Sequence, residues 1–228
     1  MIQAVILAAG RGTRMGDLTN NTPKPMLSVY GKPILEHILD NLPDEVSEII
    51  FVIGHRGELI KEYFGDFFGG KSVKYAYQDD LNGTAGAVHT AKDFIKGKFL
   101  VLNGDDLYHH SDLKRLINND LAILTKEVDN PERFGIVKTD GDGNLVEIIE
   151  KPKEHIGNLA NIGAYILNKD FFNYEPVKIS EKEFGLPQTL AKMAKDYKIK
   201  VEKAEFWQPV GYPEDILTAE KVIDDFSK

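Results

Sequence analysis

Ala4-Val5-Ile6-Leu7-Ala8-Ala9-Gly10-Arg11-Gly12-Thr13-Arg14-Met15 is the stretch that decides the fold. Its first half is a short, continuous apolar run bounded by glycine, the pattern of a strand buried on both faces of a parallel sheet. Its second half is a basic glycine loop at the point where that strand ends. Glycines let backbone N–H groups approach an anion closely. Arg11, Arg14 and, shortly after, Lys24 of Pro23-Lys24-Pro25 add fixed positive charge around the same spot. In a chain whose formal net charge is −8, such a loop marks a phosphate site.

Strand and helix patterns alternate outward from this loop. Ile34, Leu35, Ile38, Leu39 and Leu42 form a helical stripe behind Pro33, and residues 48–53 read as a buried strand ending at Gly54. Helical spacing follows over 58–68, a strand over 73–77, a helix opening at Gly83-Thr84-Ala85-Gly86 and running to about 95, and a strand over 99–102. That strand ends in Asn103-Gly104-Asp105-Asp106; a short helix over 113–117 and a strand over 121–124 come next. The rhythm then changes, with residues 134–138 and 145–150 flanking the turn Asp140-Gly141-Asp142-Gly143-Asn144 as a hairpin. Strands over 164–167 and 198–204 and helices over 190–196 and 214–226 complete the pattern. The expected class is α/β: a Rossmann-like, doubly wound, mostly parallel central sheet with helices on both faces and a small hairpin or mixed-sheet elaboration. Ligands belong at the carboxyl ends of its strands. Residues 1–228 read as one domain, and no hexapeptide repeat announces a C-terminal acyltransferase or repeat domain.

Composition narrows the function further. The acidic balance argues against nucleic acid or an anionic membrane as partner, because both demand a basic field. There is no cysteine, so disulfides and thiolate metal sites are excluded. The six histidines, His37, His55, His89, His109, His110 and His155, show no metal-ligand spacing. No run approaches the ~20 apolar residues of a bilayer span, and the N-terminus enters a strand without a signal-peptide pattern, so a cytoplasmic location is the expectation. Gly10-x-Gly12 is not a dinucleotide fingerprint, since Met15 stands in the third glycine's place and Pro23 and Pro25 forbid a long helix. Nor is it a P-loop, for no Gly-Lys-Ser/Thr closes it.

Leu7-Ala8-Ala9-Gly10-x-Gly12-Thr13-Arg14, Thr22-Pro23-Lys24-Pro25-Met26 and Gly31-Lys32-Pro33-Ile34 closely resemble the nucleotidyltransferase family that makes nucleoside-diphosphate sugars, in particular its glucose-1-phosphate thymidylyl- and uridylyltransferases. The resemblance implies that Leu7, Ala9, Gly10, Arg11, Gly12 and Thr13 wrap a nucleoside triphosphate, that Arg14 grips the leaving pyrophosphate, and that Lys24 neutralises charge at the reacting phosphoryl group. Gln78, five residues before Gly83-Thr84, is similar to the family's base-reading element; its amide can donate and accept, which suits uracil or thymine. Asp105 resembles the family's Mg²⁺ ligand, whereas Asp106 reads as a turn or capping residue. Glu132-Arg133-Phe134-Gly135, Glu150-Lys151-Pro152 and Asn161-Ile162-Gly163 look like the sugar side. There Gly135 offers a backbone contact, Glu150 accepts sugar hydroxyls, Lys151 pairs with the sugar phosphate, and Asn161 bonds the sugar or its phosphate.

The implied reaction is Mg²⁺-dependent, in-line attack of a sugar 1-phosphate on the α-phosphorus of a nucleoside triphosphate, UTP or dTTP being favoured. Such partners are compatible with a homo-oligomer. One departure stands out: where the family carries Trp-x-Asp-x-Gly, this chain has Trp207-Gln208-Pro209-Val210-Gly211, and the second metal-binding aspartate is Pro209. Mg²⁺ would then lean on phosphate and water, or Glu205, Asp106 or Asp215 would compensate, or catalysis has been lost. The competing functions are a mannose-1-phosphate guanylyltransferase, to which Gly-Thr-Ala-Gly is also similar, a cytidylyltransferase of the same superfamily, and a non-catalytic sugar-nucleotide sensor.

Overall fold

The computed structural model describes residues 2–226. The strand Ile2–Ala8 lies inside a ten-stranded mixed sheet, parallel to Val46–Ile53 on one side and to Phe99–Asn103 on the other. Val46–Ile53 is in turn parallel to Lys71–Tyr77. Ala4, Ile6 and Ala8 face one apolar layer, Val5 and Ala9 the other. A strand covered on both faces has no use for polar alternation, which is why its sequence is apolar throughout. Helices Ile34–Asp40, Gly57–Phe64, His110–Ile117 and Pro213–Val222 fill the first layer, and Gly83–Thr90 and Leu186–Met193 the second. The doubly wound arrangement expected from the sequence is present.

Where the sequence changes rhythm the sheet becomes mostly antiparallel, the pairing of Lys200–Lys203 with Ala122–Glu127 staying parallel. Gly135–Thr139 and Leu145–Glu150 form the hairpin, its turn tied by Asp140 Oδ1, which accepts the N–H groups of Asp142 and Asn144 at 2.9 and 2.8 Å. The strand expected over 164–167 is the second half of Leu159–Leu167, which runs antiparallel to Phe99–Asn103 and Ala122–Glu127 and bulges between Asn161 and Ala164. Lys200–Lys203 extends the sheet beyond Ala122–Glu127.

Several elements differ from expectation. The helix read over 58–68 stops at Phe64, because Gly65 turns to φ +59°, and Phe67–Phe68 instead pairs antiparallel with Lys71–Tyr77. The helix opening at Gly83 ends at Thr90 and continues only as a 3-10 turn, Lys92–Phe94. The helix expected over 190–196 is Leu186–Met193, with Pro187 in the first turn where its missing N–H costs nothing. The last helix, expected over 214–226, is Pro213–Val222 followed by a 3-10 turn. Three small two-stranded sheets were not legible in the sequence: Ser28–Val29 with Lys32–Pro33, Val177–Lys178 with Phe184–Gly185, and Asp106–Tyr108 with Trp207–Pro209.

Candidate active site

The parallel register sets Leu7 beside Asn103, and the Gly104 N–H then donates to the Leu7 carbonyl at 3.0 Å. A Cβ at Gly104 would come within 2.7 Å of that oxygen, so only glycine permits the crossing that delivers Asp105 to the mouth of the glycine loop. The loop turns at Gly12, φ +63°, and is anchored by buried Met15, whose N–H bonds the Gly12 carbonyl at 2.9 Å. As Pro23 and Pro25 require, no long helix follows; Lys24–Met26 is one short 3-10 turn. The Lys24 stem is buried, and its Nζ meets Asp105 Oδ2 at 2.6 Å. Arg56, itself at φ +59°, braces the intervening segment through the carbonyls of Asn20 and Asn21.

These elements wall a cleft of about 510 Å³. Leu7, Ala9, Gly10, Arg11, Gly12 and Thr13 line it, with Arg14, Lys24 and Asp105, and so do Gln78, Gly83 and Thr84. Every residue singled out as catalytic or nucleotide-binding thus faces one cavity, although the three groups come from distant parts of the chain. Gln78 arrives at the end of Lys71–Tyr77, its N–H on the Ile53 carbonyl at 2.8 Å, and its Nε2 donates to Asn82 Oδ1 at 2.8 Å and the Gly83 carbonyl at 3.2 Å. Gly83, at φ +90°, abuts the Phe184 backbone so closely that a Cβ would lie 2.5 Å from its carbonyl oxygen. Thr84 Oγ1 accepts the Leu186 N–H at 2.9 Å. The segment from Val177 to Leu186 is thereby strapped to the helix start and brings Glu183 to the cleft wall. Arg11 and Arg14 are exposed and lack a carboxylate partner among the described residues, so the cavity carries excess positive charge.

Asp106 is not the turn residue expected. It lies in the strand Asp106–Tyr108, is buried, and stands opposite Pro209 of Trp207–Pro209. Strand alternation therefore turns Asp105 toward the cleft and Asp106 inward. Burial and the neighbouring charge of Asp105 hold the Asp106 carboxyl well above the usual carboxylate range, against the pull of Lys24. The Tyr108 hydroxyl, 3.5 Å from Asp106, donates to the carbonyls of Ile162 and Gly163.

The four residues assigned to the sugar do not line this cavity; they gather on the hairpin side. Gly135 pairs with Glu150, and a Cβ there would meet Glu150 Oε2 at 2.8 Å. Lys151 is held at φ +45° with its N–H on the Phe134 carbonyl at 2.9 Å, a left-handed conformation rare for a non-glycine residue. Asn161, at the bulge, donates from Nδ2 to the Tyr165 hydroxyl at 2.8 Å and accepts the Gly163 N–H at 3.1 Å. Burial raises the Tyr165 phenol; the Asn161 hydrogen bond opposes this, while the charges of Glu150 and Asp106 add to it. Asn161 thus holds the phenol directly, and Glu150 and Asp106 act on it through their charge. Asn103 joins the two halves, lining the cleft while pressing its amide onto Gly163.

Residues 3–225 match the model of the nucleotidyl transferase family. The chain belongs to that family. It is 40% identical over 98% of its length to the bifunctional protein GlmU of Methanocaldococcus jannaschii, of which it spans about half, 55%. It is 34% identical over 98% of its length to the UTP–glucose-1-phosphate uridylyltransferase AglF of Haloferax volcanii, covering 97% of that protein. It is likewise 34% identical, over 94% of its length, to the D-glycero-alpha-D-manno-heptose 1-phosphate guanylyltransferase of Campylobacter jejuni, covering 96% of it. Among solved structures, a Bacillus anthracis protein described as a glucose-1-phosphate thymidylyltransferase, in complex with sucrose, superposes with TM-score 0.87 at 25% identity; the match covers 100% of this chain and 97% of that one.

For a nucleotidyl transferase, the donor set at Pro209 is sparse. Glu205 pairs with Arg115 at 3.3 Å, and Asp215 Oδ2 accepts the Gly211 and Tyr212 N–H groups at 2.8 Å, capping its own helix. His109 caps the helix His110–Ile117, and His110 Nδ1 lies 3.2 Å from the Asn41 carbonyl, so both are structural. Among the described residues no group of three or more histidine or carboxylate side chains could hold a metal ion. Asp105, 37% exposed, still fits Mg²⁺, a hard cation content with one carboxylate when phosphate oxygens and water complete its shell. Glu183, Asn82 and Asn103 escaped the sequence reading. Asn82 had a signal, its position immediately before Gly83, but Glu183 reaches the cleft only through the strap.

Proposed function

We propose that the chain transfers a nucleotidyl group from a nucleoside triphosphate, UTP or dTTP in preference, to a sugar 1-phosphate. An oxygen of the sugar phosphate attacks the α-phosphorus, the bond from that phosphorus to the bridging oxygen breaks, and pyrophosphate leaves with the electron pair. The observation that carries this reading is the convergence of the glycine loop, Lys24, Asp105 and Gln78 on one cavity.

The chemistry asks little of a general base. A phosphate monoester has its second pKa at about 6, so the nucleophile is already ionised near neutrality. What remains is repulsion between two polyanions and charge build-up on the leaving group. Arg11, Arg14 and Lys24 line the cavity and meet that charge, Lys24 being held by its buried stem and its pair with Asp105. Mg²⁺ held at Asp105 would supply further positive charge to the triphosphate. Lys24 and Asp105 pair in the free protein, so each neutralises the other until a nucleotide enters. Glu150, Lys151 and Asn161 are assigned to the incoming sugar phosphate, in keeping with the strained backbone that presents Lys151.

The decisive experiment is a matrix of nucleoside triphosphates against sugar 1-phosphates with Mg²⁺, read as released pyrophosphate. Release with UTP or dTTP is the expected result. Release only with GTP or CTP would move the chain to the guanylyl or cytidylyl alternatives. Pro209 favours one further reading, a sensor, which would bind a nucleotide-sugar and release no pyrophosphate with any pair.

A further inference from the structure

The Gln78 side chain is buried, and its amide nitrogen is fully used inside the chain. Nε2 donates to Asn82 Oδ1 at 2.8 Å and to the Gly83 carbonyl at 3.2 Å. An amide nitrogen has two hydrogens to give and accepts nothing. The Gly83 carbonyl, which can only accept, sets which way round the amide sits through a long bond of 3.2 Å, and the shorter 2.8 Å bond to Asn82 Oδ1 holds it there. Turning the amide over would set two oxygens against each other there and a third oxygen, from Asn82, beside them. The group left for a ligand at this wall of the cleft is Gln78 Oε1, an acceptor.

Asn82 is itself held firmly. Its carbonyl accepts the Phe184 N–H at 2.8 Å and its N–H bonds the Asp80 carbonyl at 2.7 Å. Its side-chain oxygen lies over Gly86, where a Cβ would come within 1.7 Å. That contact accounts for the second glycine of Gly83-Thr84-Ala85-Gly86, which sits inside a helix where alanine would otherwise be preferred.

We infer that Asn82 is a positioning residue that sets the polarity of base recognition. It locks the Gln78 amide with the carbonyl toward the nucleotide, so the site takes a base whose facing ring nitrogen carries a hydrogen. Uracil and thymine do so at N3 and guanine at N1; cytosine and adenine present an acceptor at the same edge. This rests on the reading of the cleft as a nucleoside triphosphate site with Gln78 at the base. It separates the uridylyl, thymidylyl and guanylyl chemistries from the cytidylyl one.

The test compares kcat/KM and calorimetric Kd for UTP and GTP with those for CTP and ATP. The wild-type ratio between the better ring-N–H nucleotide and the better ring-acceptor nucleotide should be about 100-fold or more, since a buried acceptor left facing an acceptor is strongly rejected. Asn82→Ala and Gly86→Ala should each cut that ratio roughly tenfold, partly by improving the rejected nucleotides. Asn82→Asp, which still offers Nε2 an acceptor, should keep it. A merely structural role would weaken all four nucleotides alike. An unchanged ratio in both folded variants, or a wild-type preference for CTP or ATP, would overturn the inference. Failure of the wider reading looks different: the wild-type protein would then bind none of the four.

Discussion

The two ends of the same parallel strands carry ion pairs of opposite character. At the amino edge, Glu48 is encircled: Gln3 and Lys96 bond one side of its carboxylate, Lys74 reaches it at 3.0 Å, and Gln3 also donates to the Phe94 carbonyl at 2.8 Å and accepts the Lys96 N–H at 2.7 Å. Every group there has a partner within the chain. At the carboxyl edge Asp105 meets Lys24, while Arg11 and Arg14 have no carboxylate partner among the described residues. The difference is one of completion. A finished network only holds strands in register, whereas an unfinished one, with surplus cations and open glycine backbone, stores a demand for an anion.

Breaking the unfinished end should have the largest effect. Lys24→Ala and Asp105→Asn are each expected to lower turnover about 100-fold or more, the scale seen when a preorganised charge is removed from a transition state. Asp105 is partly exposed and the largely buried Lys24 side chain ends at the cleft wall rather than in the apolar core, so the fold should persist, checked by circular dichroism. Near-wild-type pyrophosphate release in either variant would remove that residue from the machinery. Gly12→Ala comes next. A Cβ there would lie 2.7 Å from Lys24 Cβ at a backbone φ of +63°, so the substitution strains the loop and displaces the lysine together. Turnover should fall about tenfold and stability by roughly 1 kcal/mol, readable in one denaturant titration and one rate.

How far the comparison was legible in the sequence follows from locality. The glycine loop, Lys24 and Asp105 could be read because glycines, prolines and apolar runs act on their immediate neighbours, and a parallel sheet aligns its strand ends without further instruction. Gln78 was singled out by its resemblance, at its spacing from Gly83, to the family's base-reading element rather than by any local pattern. Asp106 was misread because Asn-Gly-Asp-Asp has the composition of a turn, and what makes Asp106 a strand residue is Trp207–Pro209, a hundred positions away in pairing partner. Phe67–Phe68 was lost to a helical period that Gly65 cuts short. Glu183 depends on the strap of Val177–Leu186 against Gly83, a contact that no local pattern encodes.

Pro209→Asp sharpens the contrast from the other side, by trying to finish the carboxyl edge. The new carboxylate would lie directly across the strand pair from buried Asp106. A carboxylate set against that buried, proton-holding group must give up solvation or keep its own proton, so without metal the melting temperature should fall by a few degrees. Mg²⁺ should recover more stability in this variant than in the wild type. Equal Mg²⁺ effects on the two proteins would show that position 209 lies outside the reach of the ion held at Asp105.

The smallest effect belongs to the finished end. Burial pushes the Glu48 carboxyl up, but hydrogen bonds from Lys74, Gln3 and Lys96 outweigh it and hold the group below its ordinary value of 4.5. The folded protein therefore gives up this proton more readily than the unfolded chain does. The stabilisation is complete above about pH 4.5 and is lost as the pH falls through that value toward the lower folded one. Glu48→Gln should cost about 1 kcal/mol or less near neutrality, a difference that shrinks on acidification, and should leave pyrophosphate release unchanged. A rate loss in Glu48→Gln comparable with that in Gly12→Ala would mean the amino edge transmits strand register to the loop, and the division between a structural end and a working end would fail.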